Sequence, residues 1–145
     1  MIDALRPILQ TIASLDLSQP DAARAALQQA HPDLSALKAA VLAAPADELV
    51  PRAAGPHVRF GRVAKPSEAT YDLSIDAVDM TGAGAEHTHP NGEVSLCFAT
   101  EGSPRFMGEP EGWVVVPPGS RHVPTVTEGR MRILYFLPGG AMIFH

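Results

Sequence analysis

The spacing of apolar residues changes partway along the chain, and this change predicts two kinds of architecture. Before residue 50, apolar side chains such as Leu5, Ile8 and Ile12 recur every three or four positions, which is typical of one face of an amphipathic helix. From about residue 57 onward, apolar and polar residues alternate, as in residues 71–77, which favours strands. The pattern therefore predicts helices first and a β-structure afterwards.

Three short helices are predicted in the N-terminal part. Ser18 is predicted to cap the second helix, with Asp21 at the third position completing a capping box. Pro32 ends that helix, because a residue that precedes proline is disfavoured in the α conformation. Asp33 is then predicted to cap the third helix. Helices this short are marginal alone, so we expect them to pack on the β-structure or on a second subunit.

Compact strand-like runs follow, separated by clusters of glycine, proline and asparagine. The runs include residues 94–98, 113–116 and 131–137. Many short strands with such turns favour a small sandwich or barrel. We therefore predict a mainly β fold, with an all-α N-terminal segment over residues 1–50 and a single β-barrel domain over residues 57–145.

Composition supports this division and excludes some functions. No glycine precedes Gly55 and no aromatic residue precedes Phe60. The 11 Lys and Arg against 16 Asp and Glu leave a net charge of −5, which argues against a nucleic-acid partner. Cys97 is the single cysteine, so no internal disulfide is possible. The absence of a signal-peptide pattern and of a membrane-length apolar run predicts a cytoplasmic protein. We expect a homodimer, because small symmetric dimers are the commonest oligomers.

The candidate chemistry lies in two histidine-containing segments. His87 and His89 stand two residues apart on a predicted strand, so their side chains project from the same face. A turn follows, and Glu93 keeps the same parity on the next strand. His122 comes after a proline-glycine turn. Imidazoles and a carboxylate from adjacent strands form a set that transition metals favour. A lone His-x-His pair in a strand is more often two surface or hydrogen-bonded histidines, and only the full set of residues favours metal binding.

These spacings resemble the two motifs of the cupin superfamily. The first runs Gly82-x4-His87-x-His89-x3-Glu93-x8-Gly102, and the second runs Gly112-x4-Pro117-x-Gly119-x2-His122. Val126 occupies the position where cupins usually have asparagine, and flanking spacings differ by one or two residues. The resemblance implies a double-sheet jelly roll with His87, His89, Glu93 and His122 as metal ligands.

A closer resemblance is to the 4-hydroxylaminobenzoate lyase family. It is carried by the strings HTHPNGEVSLCF, GWVVVPPGSRHVPTV and LYFLPGGAMIF. The resemblance implies a carbon–nitrogen lyase of nitroarene degradation that converts 4-hydroxylaminobenzoate to 3,4-dihydroxybenzoate and ammonia. Its partner would be a small aromatic carboxylate, and its cofactor a divalent transition metal such as Fe, Mn, Ni, Zn or Cu, among which ligand type alone does not choose.

Several roles stay open at this stage. Glu93 is either a metal ligand or, if three histidines suffice, a catalytic acid–base group. Tyr135 is a candidate catalytic residue whose hydroxyl either contacts a ligand or packs in the core. Six arginines are candidates for binding a substrate carboxylate: Arg59, Arg62, Arg105, Arg121, Arg130 and Arg132. The alternatives to a lyase are another metal-dependent cupin enzyme, such as an aromatic or thiol dioxygenase, and a non-enzymatic small-molecule-binding cupin.

Overall fold

The computed structural model describes residues 1–145 as four helices followed by nine strands. The helices are α1 (Ile2–Ala13), α2 (Pro20–Ala30), α3 (Ser35–Ala43) and α4 (Ala46–Leu49). The strands are β1 (Arg52–Ala53), β2 (Val58–Ala64), β3 (Leu73–Met80), β4 (His87–His89), β5 (Glu93–Phe106), β6 (Gly112–Val116), β7 (Ser120–His122), β8 (Val126–Pro138) and β9 (Ile143–Phe144). The prediction of a mainly β, jelly-roll fold behind a short helical segment is confirmed, and α4 is one helix more than the sequence pattern predicts.

The strands form two antiparallel sheets. The larger has the order β1-β2-β3-β8-β5-β6, and the smaller has the order β7-β4-β9. Strand β8 lies at the centre of the larger sheet, where it pairs with β3 on one side and with β5 on the other. The smaller sheet carries the histidine motifs, so the two sheets together bring the candidate ligands next to the interior face of the larger sheet.

The helices cover the outer face of the larger sheet. Leu9 of α1 and Leu27 of α2 are fully buried in one apolar cluster with Leu96, Trp113 and Phe136 from the strands. A second cluster fills the inside between the sheets, with members that include Val78, Met80, Cys97 and Ile133. The expectation that the helices pack on the β-structure is therefore confirmed.

Strand β3 shows why both faces of this sheet are buried. Its positions alternate as predicted, but Leu73, Ile75 and Ala77 face the helices while Val78 and Met80 face the interior. Ser74 and Asp76 share the interior parity. The helices cover the face of β3 that carries Leu73, Ile75 and Ala77, which a bare sheet would expose to solvent. The polar positions of β3 therefore lie on the opposite face, which points to the interior between the sheets.

The predicted cap at Ser18 is wrong. The second helix begins at Pro20 after Gln19, without a side-chain cap. The Ser18 hydroxyl instead donates to Asp16 Oδ1 at 2.6 Å, because that carboxylate lies close enough to form a local turn. Asp33 lies one residue before the assigned cap position, yet its Oδ1 accepts from the backbone N–H of Ser35, the first residue of α3.

The contact between helices and sheet makes a stability prediction. Leu27→Ala removes a fully buried side chain of α2, and we expect it to lower the free energy of unfolding by about 2–5 kcal/mol. Gln28→Ala, an exposed neighbour on the same helix, should change it by less than about 0.5 kcal/mol. Denaturant unfolding measures both variants. Equal stabilities would mean that α2 does not contribute to the cooperative core.

Candidate metal centre

Three histidine side chains converge between the two sheets. His87 and His89 lie on β4, and His122 lies directly opposite His87 on β7. The three Nε2 atoms form a triangle with sides of 2.8 Å (His87 to His89), 2.9 Å (His89 to His122) and 3.1 Å (His122 to His87). His87 and His89 are buried and His122 is partly buried. The structure therefore brings together the three histidines that the sequence motif singles out.

Two glycine turns place the strands that hold these side chains. Gly92 has a φ of 81°, and a Cβ there would lie 2.9 Å from the carbonyl oxygen of Val116. Gly119 also has a φ of 81°, and its N–H donates to the carbonyl of His89. Both conformations favour glycine, which reaches positive φ without strain. The turns direct β5 to begin at Glu93 and direct β7 to bring His122 beside β4.

The hydrogen bond of His87 fixes which ring nitrogen faces its neighbours. Its Nδ1 lies 3.0 Å from the carbonyl oxygen of Ala85, which can only accept, so Nδ1 carries the proton. In the neutral ring Nε2 is then bare and faces the other two histidines. A backbone carbonyl that orients an imidazole in this way is the usual support of a metal-binding histidine.

The electrostatics of the cluster keep the rings neutral. Burial, and after it the charges of His87 and His122, lower the pKa of His89 to about 3. Burial likewise lowers the pKa of His122 to about 4, with His87 as the second cause, and it lowers the pKa of His87. Neutral imidazoles are the form that binds metals.

The triangle also has the dimensions that one metal ion requires. Metal–nitrogen bonds of about 2.0–2.1 Å at right angles place neighbouring nitrogens about 2.9 Å apart, whereas tetrahedral angles place them about 3.4 Å apart. The observed sides of 2.8–3.1 Å match the first case. The three histidines therefore fit a divalent transition metal, which they would bind at three neighbouring coordination positions.

Glu93 lies beside the histidines but outside their triangle. It is fully buried, and its Oε1 accepts a hydrogen bond of 2.7 Å from the Ser95 hydroxyl. Its Oε2 lies 3.2 Å from His89 Nε2 and has no hydrogen-bond partner. The histidines form the three-membered ligand group without it. Burial raises the pKa of Glu93 to about 7; the Ser95 hydrogen bond opposes this rise, and the charge of Asp76 adds to it.

Tyr135 occupies the interior face of β8. It lies opposite Ser95 of β5 on one side and opposite Asp76 of β3 on the other. Its hydroxyl is buried and has no hydrogen-bond partner, and burial raises its pKa well above the ordinary value, with the charge of Glu93 as the second cause. A neutral phenol in this position is available as a donor to a bound molecule.

A cavity of about 450 Å³ opens next to the cluster. His87 and Tyr135 line it together with apolar side chains that include Val58, Phe60 and Met80. Arg62 is the only lysine or arginine in its lining and Asp76 the only carboxylate, and the two side chains form an ion pair. The composition of these walls suits a small ligand with an apolar body and few polar groups.

The single cysteine and the single tryptophan of the chain do not line this cavity. Cys97 is buried in the interior cluster, and Trp113 packs on the helix-facing side. The side chain that sequence reasoning missed is Asp76, which is a polar position in an alternating strand and looks solvent-facing in the sequence. The signal that could have found it is its shared parity with Val78 and Met80, since apolar side chains on both faces of a strand indicate burial of both faces.

None of the four helices has the length and apolar character that a membrane span requires.

Comparison with known proteins gives a consistent result. A sequence profile described as 4-hydroxylaminobenzoate lyase matches residues 25–144. The 4-hydroxylaminobenzoate lyase of Pseudomonas putida is 31% identical over 106 residues, which cover 62% of this chain and 60% of that protein. The enzyme of the same name from Nocardioides sp. (strain LMS-CY) is 32% identical over 98 residues, covering 62% of this chain and 58% of that protein. The chain thus matches less than two thirds of the length of these relatives.

Solved structures with similar folds include a cupin-like protein from Thermotoga maritima, with a TM-score of 0.43 and 13% identity, covering 61% of this chain and 75% of that chain. A second is an RmlC-like cupin from Shewanella frigidimarina, with a TM-score of 0.42 and 17% identity, covering 60% of this chain and 81% of that chain. The sequence profile spans most of the chain, from within α2 to the last strand, and includes all three histidines. On that match, the chain belongs to the 4-hydroxylaminobenzoate lyase family.

Proposed function

We propose that this protein converts 4-hydroxylaminobenzoate, an aryl hydroxylamine carboxylate, to 3,4-dihydroxybenzoate and ammonia at a metal held by His87, His89 and His122. The observation that carries the proposal is the convergence of three Nε2 atoms beside a largely apolar cavity, whose wall includes one of the three histidines, His87. Family membership supplies the reaction. Relatives named for this lyase activity support the same choice.

The reaction balances with one water and no outside oxidant. The N–O and C–N bonds of the substrate break, two ring carbons end with hydroxyl groups, and the nitrogen leaves as ammonia. The hydroxylamine nitrogen is reduced while the ring is oxidised. When bound, the metal supplies Lewis acidity towards an oxygen atom or lowers the pKa of a water molecule.

We assign the remaining roles to side chains beside the histidines and, for Tyr135, in the cavity wall. Glu93 Oε2 has no hydrogen-bond partner and lies 3.2 Å from His89 Nε2, and we assign to it the transfer of a proton to or from the reacting groups. The Ser95 hydroxyl fixes the other oxygen and so orients the carboxylate. The Tyr135 hydroxyl donates a hydrogen bond to the bound molecule, since no protein group accepts from it.

Product analysis tests the proposed activity. Metal-supplemented protein is incubated with 4-hydroxylaminobenzoate while 3,4-dihydroxybenzoate, ammonia and dissolved oxygen are measured. We expect equal amounts of 3,4-dihydroxybenzoate and ammonia and no oxygen consumption. Consumption of oxygen in step with turnover would instead identify a dioxygenase, and binding without any product would identify a non-enzymatic member of the fold.

Removal of the metal tests the cofactor. Dialysis against a strong chelator should abolish turnover, because the three neutral imidazoles are then left without the ion that they hold. Adding back Fe²⁺, Mn²⁺, Ni²⁺, Cu²⁺ or Zn²⁺ separately should restore it with one or a few of these ions. Full activity in protein that elemental analysis shows to be metal-free would exclude the metal-centred reaction.

A further inference from the structure

The cavity beside the histidines has one arginine in its wall. Its volume of about 450 Å³ falls in the range of roughly 300–1,000 Å³ that small-molecule pockets occupy. Most of its lining is apolar, and Arg62 is its only lysine or arginine. A ligand with an aromatic ring and one carboxylate would match these walls, because the ring needs apolar contacts and the carboxylate needs a cation.

The other arginines that the sequence offers as carboxylate partners are engaged elsewhere, and none of them lines this cavity. Their partners are the carbonyls of Val50 and Pro51 for Arg59, Gly108 and Glu128 for Arg105, Glu86 for Arg121, and Asp79 for both Arg130 and Arg132. The tertiary structure therefore reduces six candidates to Arg62.

The guanidinium of Arg62 is held at one edge and open at the other. Its Nε donates to Asp76 Oδ1 at 2.6 Å, and this is its only hydrogen bond to the protein. Both Nη atoms keep their hydrogens free, so the fork that binds a carboxylate with two parallel hydrogen bonds is available. The Arg62 side chain is 49% exposed and that of Asp76 is 19% exposed, which places the pair at the boundary between cavity and solvent.

Arg62 also begins a row of polar side chains that leads to the metal centre. Arg62 lies opposite Asp76, Asp76 lies opposite Tyr135, and Tyr135 lies opposite Ser95 on four adjacent strands. Ser95 in turn donates to Glu93, which lies next to His89. Arg62, Asp76 and Tyr135 line the cavity together with His87. A molecule that contacts Arg62 therefore shares this cavity with a histidine of the candidate metal centre.

We infer that Arg62 binds the carboxylate of an aromatic acid in this cavity and that Asp76 positions its guanidinium for this contact. The inference rests on the proposed function and specifies how that function selects its substrate. Arg62 is then a specificity-determining residue, and the ligand class is an aryl carboxylate rather than a neutral arene.

Binding of two unreactive probes tests this role. Benzoate and benzamide have nearly the same shape, but only benzoate carries a charge. Calorimetric titration of the metal-loaded protein should show tighter binding of benzoate. Arg62→Gln should raise the Kd of benzoate about tenfold and leave that of benzamide unchanged, because a hydrogen bond to a charged group contributes about 1.5–3 kcal/mol and this site is half exposed. Arg62→Lys should give an intermediate Kd, since it keeps the charge but loses the fork.

Two further variants separate binding from folding. Arg105→Gln removes an arginine of 50% exposure that lies outside the cavity, and it should bind both probes as the unmodified protein does. Arg62→Gln combined with Asp76→Asn removes both charges together, so Asp76 is not left unpaired, and it should show the same loss of benzoate preference.

The outcomes distinguish this inference from the proposed function. If Arg62→Gln and the double variant keep the preference for benzoate over benzamide, Arg62 does not bind the carboxylate, while the lyase proposal stands. If the unmodified protein binds benzoate no better than benzamide, the cavity does not select aryl carboxylates, and this inference is overturned even where turnover of 4-hydroxylaminobenzoate is measured. If the unmodified protein neither binds benzoate nor turns over 4-hydroxylaminobenzoate, the proposed function fails together with this inference.

Discussion

The His89→Ala variant is expected to lose both its bound metal and its turnover. His89 is the histidine whose Nε2 lies within 3 Å of both other Nε2 atoms, and its side chain is fully buried. Loss of an orienting group behind a metal ligand already costs about 10–100-fold in affinity or activity, so loss of a ligand itself should cost more. Elemental analysis and product formation measure the two effects on the same preparation.

Stability gives an independent reading of the same variant. A metal that binds only the folded state stabilises it by about 2.7 kcal/mol at a concentration of 100 times the Kd. Adding the activating metal should therefore raise the Tm of the unmodified protein but not that of His89→Ala. His57→Ala is the matched control, because His57 is exposed and lies outside the cluster. A His89→Ala protein with stoichiometric metal and normal turnover would contradict the three-histidine site.

The Glu93→Gln variant is expected to keep its metal and lose most of its turnover. Glutamine preserves the shape of the side chain and can still accept from Ser95, but it cannot take up or release a proton at the position of Oε2. Proton transfer by a positioned side chain contributes about 10²–10⁴-fold to a rate, which sets the size of the expected decrease in kcat. Steady-state kinetics with metal analysis tests this expectation.

The same variant decides between the two roles open to Glu93. Loss of metal from Glu93→Gln would make Glu93 a fourth ligand, whereas unchanged metal and a kcat within about twofold of normal would exclude both roles. Glu101→Gln serves as the control, because Glu101 lies on the same strand but is exposed and outside the cavity. It should leave both metal content and kcat unchanged.

Much of the candidate site could be predicted from the local spacing of residues in the sequence. In a strand, side chains two residues apart share a face, so the parity of His87 and His89, and of Glu93, Ser95 and Cys97, can be derived without coordinates. The structure shows Glu93, Ser95 and Cys97 buried on the interior face of β5. The position of His122 after a proline-glycine turn is also a local pattern, and it indicates a candidate ligand without coordinates.

Capping was predicted less well, because it depends on competition between nearby groups. Ser18 precedes a helix with the residues of a capping box, yet its hydroxyl binds Asp16. The alternative acceptor lies only two residues away, and a local turn of this kind competes with a helix cap. A sequence pattern records which groups are available but not which of two close partners is preferred.

By itself, the sequence determined the order of helices and strands, the interior parity of β5 and the residue types of a candidate metal site, because these depend on neighbours in the chain. Only the tertiary structure decided that the three Nε2 atoms lie together, that Asp76 faces inward, and that Arg62 alone among the six candidate arginines lines the cavity. These features depend on pairing between β4 and β7 and between β2, β3 and β8, and on helices that cover the outer face. Contacts between residues that lie far apart in the chain produce no periodic pattern in the amino-acid sequence.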